Sequence, residues 1–418
     1  MSASIAADWL RDGDLQRLLA ALSKDGEEAR IAGGAVRDAL LGRDVSDIDI
    51  ATTTLPEETT HRAEAAGFGA VPTGIEHGTI TVVAGGKTYE VTTLRADIET
   101  DGRHAKVRFG RDWQADAERR DFTINALYGD ADGTVVDLVQ GVEDLEARML
   151  RFIGDPELRI REDYLRILRF FRFFAWYGSG RPDAEGLKAC ARLKEGLDRL
   201  SAERVWAEVK KLLAAPDPSR ALLWMRQAGV LTRVLPESEK WGIDAMHGLV
   251  RAERDLGWMP DPLLRLIAIV LPDAARMTGL AERMKRSTAE MLRLRRWVQT
   301  ATPDCDMTAV DLGRLIYRGD REAIVDRLRL ALVSARARAV ENDAAPTEAD
   351  AFSRLLEWAV GWKTPAFPLK GGDLVTLGAQ AGPDVGKMLR RLRDDWVESG
   401  FELDRGALLE RAAHRLKD

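Results

Sequence analysis

Residues 30–50, Arg30-Ile-Ala-Gly-Gly-Ala-Val-Arg-Asp-Ala-Leu-Leu-Gly-Arg-Asp-Val-Ser-Asp-Ile-Asp-Ile50, constrain this chain more than any other stretch. A short apolar entry at Ile31 and Ala32 runs into Gly33 and Gly34, then a helix-compatible segment from Ala35 to Leu41, then Asp47-Ile48-Asp49-Ile50. The order reads strand, glycine turn, short helix, strand. Paired glycines allow a tight turn and let a ligand approach bare backbone, and the helix start behind them offers unpaired N–H groups to an anion, with Arg37 one turn further in. Side chains alternate faces along a strand, so Asp47 and Asp49 point one way while Ile48 and Ile50 point into the core. Two adjacent carboxylates repel each other. A hard divalent cation between them relieves that repulsion, and Mg²⁺ is suited to one or two carboxylates plus substrate phosphates.

Downstream, Pro56–Ala66 has helical character, and residues 78–83 and 88–93 flank Gly85-Gly86 as a β-hairpin. Alternation puts Glu90 on the face opposite Val91, as a solvated strand residue or as a third acid beside the two aspartates. Residues 95–111 are polar and aperiodic, and a loop is expected there. In residues 118–127, Phe122, Ile124 and Leu127 can face a core while Arg119 and Arg120 stay outside. Asp132-Gly133 marks another hairpin turn, with 135–138 closing the sheet. From Asp163 onward helical periodicity dominates, beginning with a single expected helix over 161–176 in which Asp163 and Arg166 share a face. Asp8–Ser23 is a further expected amphipathic helix, ahead of the first strand.

Gly33-Gly34-Ala35-Val36-Arg37-Asp38, with Asp47-x-Asp49 beginning ten residues after Arg37, resembles the catalytic motif of the class II nucleotidyltransferases. That family contains the tRNA CCA-adding enzymes and the bacterial poly(A) polymerases. Arg119-Arg120-Asp121-Phe122-Thr123-Ile124-Asn125-Ala126, Glu162-Asp163-x-x-Arg166 and Gly382-Pro383-x-x-Gly386 are similar to further elements of the family. The resemblance implies an α+β fold, a polymerase-β-like mixed-sheet head followed by an all-α neck, body and tail. It implies Asp47, Asp49 and Glu90 as the catalytic acids, with the two aspartates holding Mg²⁺. Gly33, Gly34, Arg37, Arg120, Asn125, Glu162, Asp163, Arg166, Arg169 and Arg172 become the nucleotide-binding set. Within it, Gly34, Arg37, Arg120, Arg169 and Arg172 are assigned to the triphosphate, and Asp163 and Arg166 to the base. The expected domains are a catalytic head at 1–153, a base-reading neck at 154–217, and a tRNA-binding body and tail at 218–418.

Composition narrows the class. The 62 basic and 68 acidic residues leave a net charge of −6, so RNA contact requires a local basic surface rather than a generally cationic one. Two cysteines are too few for a disulfide framework, and the five isolated histidines do not form a metal-ligand pattern. No secretory signal is evident, and the most apolar run, 263–271, is about half a membrane span. The expected protein is cytoplasmic, with tRNA, CTP and ATP as partners and no membrane or protein partner. Poly(A) addition, or addition of only CC or only A, is the alternative within the family. Those poly(A) relatives generally carry a basic C-terminal extension, whereas this acidic chain ends soon after its tail motif. A non-catalytic tRNA-binding protein, from another class, would not need Asp47, Asp49 and Glu90 all intact. A dinucleotide-binding oxidoreductase would need Gly-x-Gly-x-x-Gly, which Gly33–Asp38 does not supply.

Overall fold

Asp12 stops the N-terminal apolar segment from forming one helix. A 3-10 turn, Asp8–Arg11, precedes it, and its carboxylate accepts from the N–H groups of Asp14 (3.0 Å) and Leu15 (3.1 Å) to open α1 (Gly13–Leu22). The computed structural model describes residues 3–74, 78–101, 104–238, 242–270, 274–284, 287–339 and 345–416. It divides into two compact units, 1–236 and 237–418.

In the first unit β1 (Ala29–Ala32) enters the glycine turn, α2 (Gly34–Leu40) follows, and β2 (Ile48–Thr52) returns antiparallel with Ile31 opposite Ile50. Both isoleucines are buried, which ties the turn to the sheet core. After α3 (Pro56–Ala65) come β3 (Gly69–Gly74), β4 (Thr79–Ala84) and β5 (Lys87–Thr93); β4 and β5 form the hairpin expected around Gly85-Gly86. Residues 95–111, expected as a loop, instead contain an antiparallel ribbon of β6 (Arg95–Asp101) and β7 (His104–Phe109), while Gly102 and Arg103 lie outside the described residues. The segment is polar and its strands pair only with each other, so no alternation of apolar and polar residues reveals them in sequence. After α4 (Trp113–Glu118), β8 (Leu127–Gly129) and β9 (Val135–Asp137) complete a seven-stranded sheet ordered β3-β4-β5-β2-β1-β8-β9. The central position of β2 matters most. It pairs antiparallel with β1 and parallel with β5, and the parallel register sets Asp49 directly opposite Glu90.

Helices take over after α5 (Gly141–Glu146). The expected single helix over 161–176 is two: α6 (Pro156–Glu162) ends at Asp163, which has extended backbone (φ −151°), and α7 (Leu165–Tyr177) restarts beyond it. The Asp163 carboxylate accepts from the Leu165 N–H at 3.1 Å in the turn between the two helices, so Asp163 does not share a helical face with Arg166. Phe170 of α7 stacks on Phe152 (5.4 Å between centroids) and lies beside Phe122, which anchors the helix to the Arg-Arg-Asp-Phe element. α8 (Ala184–Arg192), α9 (Ala202–Leu213), α10 (Ser219–Gln227) and α11 (Val230–Val234) follow, with α9 and α10 packed on α7. Ser201 caps α9 as expected. The Pro216–Pro218 break lies inside this unit, which continues to Pro236.

The named elements of the second unit's described residues are all helices, from α12 (Gly242–Leu256) through α13 (Pro262–Ile269), α14 (Ala274–Arg283), α15 (Thr288–Gln299), α16 (Ala309–Arg318), α17 (Arg321–Arg338) and α18 (Ala345–Gly361) to α19 (Gly371–Thr376), α20 (Pro383–Glu398) and α21 (Arg405–Arg415). Arg265, wholly buried, is neutralised by Glu253 at 2.6 Å. Pro383 takes the first turn of α20 after Gly382, where its missing N–H costs no helical bond. None of the described helices is long and apolar enough to cross a membrane.

Candidate active site

The carboxylates gather at one place on the sheet. Asp47 stands just ahead of β2 with one oxygen accepting from the Ser46 hydroxyl (2.9 Å), Asp49 lies inside the strand, and Glu90 faces it from β5. Asp49 keeps an accessible face, yet surrounding protein removes enough water to raise its pKa; Glu90 and Asp47 push it further, against the pull of Arg120. The three acids are therefore close enough to repel. Among the described residues no three acidic, histidine or cysteine side chains converge into a complete metal cage.

Asp49 opens onto a cleft of about 580 Å³ bounded by the glycine turn, the Arg120–Asn125 segment, α7 and α9. Gly33 has φ +66°, and a Cβ there would lie 3.0 Å from Arg120 Nη1 and 3.3 Å from the Asn125 carbonyl. Glycine is thus required twice, for its backbone angle and for the close approach of Arg120. Ten of the thirteen residues singled out from sequence line this cleft: Gly33, Gly34, Arg37, Asp49, Arg120, Asn125, Asp163, Arg166, Arg169 and Arg172. Asp47 and Glu90 flank Asp49 outside the lining, and Glu162 stands behind Arg166.

Each arginine of the wall is held by a carboxylate. Arg37 pairs with Asp38 (2.9 Å), Arg120 with Asp116 (3.2 Å), Arg169 with Asp121 (2.5 Å), Arg172 with Glu208 (2.7 Å), Arg204 with Asp163 (2.7 Å), and Arg166 with Glu162. Such pairing fixes a guanidinium plane in advance of a ligand, at the cost of some of its charge. Asp163 and Arg166 do not pair with each other. Asp163 turns to Arg204 of α9, and Arg166 turns to Glu162 and to the Arg159 carbonyl (2.7 Å).

Arg37, expected among the triphosphate ligands, is 6% exposed and already donates to both Asp38 oxygens, to Asn125 Oδ1 (2.5 Å) and to the Tyr177 hydroxyl (2.7 Å). Of the five N–H groups of a guanidinium, that leaves one for a ligand. Asn125 continues the chain of contacts, donating from Nδ2 to Asp121 (3.0 Å), which in turn receives Arg169 Nε (2.6 Å). Tyr177, Arg37, Asn125, Asp121 and Arg169 thus form one network running from the glycine turn to α7.

Reading the sequence alone missed Asp116, Asp121, Tyr177, Arg204, Glu208 and Lys211. Asp121 sits inside a recognised motif and Asp116 lies four residues before Arg120, so both had a local signal; the others acquire their roles through packing. Burial by itself would raise the Asp121 pKa, but Arg169, the Asn125 hydrogen bond and Arg166 together hold it below the usual carboxylate range. A depressed folded-state pKa means that Asp121 stabilises the fold above its unfolded value and loses that effect as pH falls through the folded value. Asp121→Asn is therefore expected to cost about 3 kcal/mol at neutral pH, the scale of a broken buried pair. Its melting-temperature deficit against wild type should shrink below about pH 4. A deficit independent of pH would show that the Asp121 charge contributes nothing.

Two family models match the chain: the poly A polymerase head domain over residues 29–151, and a probable RNA- and SrmB-binding site of polymerase A over residues 181–241. The mitochondrial CCA tRNA nucleotidyltransferase 1 of Danio rerio is 36% identical over 394 residues, covering 91% of this chain and 86% of that protein. The chain belongs to the family of CCA-adding tRNA nucleotidyltransferases and poly(A) polymerases. The Homo sapiens relative is 34% identical, with 94% of this chain and 88% of that protein covered. The structure of the Bacillus stearothermophilus CCA-adding enzyme in complex with CTP is similar at a TM-score of 0.74 and 25% identity, over 97% of both chains. The α+β class expected from the sequence, a mixed-sheet head with a helical remainder, is the fold found. Membership makes the chain a nucleotidyltransferase and implies a divalent cation. The donor set fits one: all-oxygen ligands, mutually repelling and partly open, lacking the remaining ligands that substrate phosphates supply.

Proposed function

We propose that this chain completes the 3′ end of tRNA, adding CCA from CTP and ATP with release of pyrophosphate, without a template and with Mg²⁺ as the cation. The observation that carries this is a match to CCA tRNA nucleotidyltransferases over nine-tenths of the chain, 91% for the Danio rerio protein. Asp47 and Asp49, with Glu90 beside them, would hold the metal. When bound, Mg²⁺ lowers the pKa of the attacking hydroxyl and neutralises charge on the departing pyrophosphate. The chain's own groups do the positioning. Arg120 and Arg169 would grip the triphosphate from planes set by Asp116 and Asp121, together with Arg172, which is held close to Glu208. Gly33 and Gly34 give room beside Asp49, and Arg37 with Asn125 keeps that turn in register with α7. Asp163 and Arg166, backed by Arg204 and Glu162, would meet the pairing edge of the base.

In domain terms, residues 1–153 act as catalytic head, 154–217 as the base-reading neck, and 218–418 as body and tail that bind tRNA. We read the protein as cytoplasmic, in keeping with its two free cysteines, one buried and one exposed; cell fractionation is the check. The function is tested by incubating the protein with tRNA lacking its last three nucleotides and sequencing the product. CTP alone should give CC, and both nucleotides should give CCA and stop. A homopolymeric A tail would instead establish a poly(A) polymerase, a stop after CC or growth by A alone a partial enzyme, and no extension a non-catalytic tRNA binder.

A further inference from the structure

We propose that Lys211 holds the outer phosphates of the incoming nucleotide, the part that leaves as pyrophosphate. Lys211 lines the active-site cleft from the last turn of α9. The six arginines of that wall are each ion-paired, but Lys211 is not in an ion pair with any of the described residues. Each of those guanidiniums is braced before a ligand arrives, although Asp116 is shared with Arg119 and Glu162 with Arg159, and the ammonium of Lys211 is the cation of this lining that has no carboxylate partner among the described residues. Its chemistry suits that role, because a compact charge with three donors on a flexible stem can follow phosphates that move away, which a braced guanidinium cannot.

Position along the wall separates the phosphates from the base. Arg204, Glu208 and Lys211 follow at spacings of four and three, a single face of α9, and this face lies against α7 through Asp163–Arg204 and Arg172–Glu208. Trp176 Nε1 donates to the Lys211 carbonyl at 2.9 Å, pinning the end of α9 to the end of α7. The next residue, Tyr177, receives Arg37 beside the glycine turn. Lys211 thus stands at the glycine-turn end of the cleft, and Asp163 with Arg204 at the other. Lys211 stands seven residues after Arg204 on the helix, about 10 Å along the axis, a span suited to an extended nucleoside triphosphate with its base at Asp163. The inference rests on the proposed reading of the base by Asp163 and Arg166.

The test uses the full chain. In steady-state assays with tRNA lacking CCA and tRNA lacking only the terminal A, Lys211→Ala should raise KM for CTP and for ATP by about tenfold or more, the loss of one charge-assisted contact. Inhibition by added pyrophosphate should weaken by a similar factor, while KM for tRNA stays unchanged. Lys211→Arg should recover most of the loss. Equilibrium binding of CTP, measured by calorimetry without tRNA, should weaken in parallel. Unchanged nucleotide KM and pyrophosphate inhibition would overturn the assignment, as would a rise in tRNA KM alone, which would make Lys211 an RNA-backbone contact. Failure of the wild type to extend tRNA would count against the proposed function instead, and the calorimetric comparison would still decide for or against Lys211.

Discussion

Asp49→Asn should yield a folded protein that no longer incorporates nucleotides, with a rate at least about a thousandfold down, the scale of losing several kcal/mol of metal-assisted stabilisation. Among the described residues Asp49 has no hydrogen bond or ion pair to a protein group that the fold needs, and its neighbours Glu90 and Asp47 disfavour its charge. Replacing the carboxylate by a near-isosteric amide removes that repulsion, so the melting temperature should be equal to wild type or higher. The carboxamide is a poor ligand for a hard cation, so stability and activity should move in opposite directions. Asp47→Asn should behave alike. Single-nucleotide incorporation at saturating Mg²⁺, alongside thermal melting, separates the outcomes: activity above about a tenth of wild type would end the metal assignment, and a lowered melting temperature would make Asp49 a structural residue.

The second large effect concerns base choice. Cytosine and adenine each present an exocyclic amine next to an unprotonated ring nitrogen, while uracil and guanine present a carbonyl next to an N–H. A carboxylate and a guanidinium side by side match the first pattern and clash with the second. Asp163 and Arg166 line the same cleft and are each backed from outside, Asp163 by Arg204 and Arg166 by Glu162, so neither neutralises the other. Mispairing buried polar groups can discriminate by roughly four orders of magnitude. Asp163→Ala and Arg166→Ala should each reduce the preference for CTP and ATP over UTP and GTP by about a hundredfold or more, beyond any general loss of rate. Competition assays with all four nucleotides give the ratios. Wild-type ratios in both variants would leave the α6–α7 junction with a structural role only.

The break at that junction shows where local reasoning stops. Residues 161–176 have unbroken helical periodicity, and the spacing of Asp163 and Arg166 suggests an intrahelical pair. In the fold, Asp163 takes extended backbone because its carboxylate gains two partners there, the Leu165 N–H and Arg204 of α9. One of those partners is 41 residues away. Periodicity reports which side of an element is buried and contains nothing about a neighbour of that kind.

What the sequence by itself determined was local and contiguous. The strand–glycine turn–helix–strand order, the hairpin at Gly85-Gly86 and the helical second half all follow from spacings of two or three to four residues, and from glycines where the backbone needs them. Tertiary structure decided the long-range braces, whereas Arg37–Asp38, Arg120–Asp116 and Arg166–Glu162 are pairs within four residues. Arg169 finds Asp121 48 residues back, Arg172 finds Glu208 on α9, and Arg37 finds Tyr177 140 residues on. It also decided that Lys211 faces the cleft without such a brace, and that Asp49 meets Glu90 in parallel register. The reason is physical. An ion pair a few ångströms long depends on how helices and sheet pack in three dimensions, and residue spacing along one dimension fixes only the faces that are free to meet.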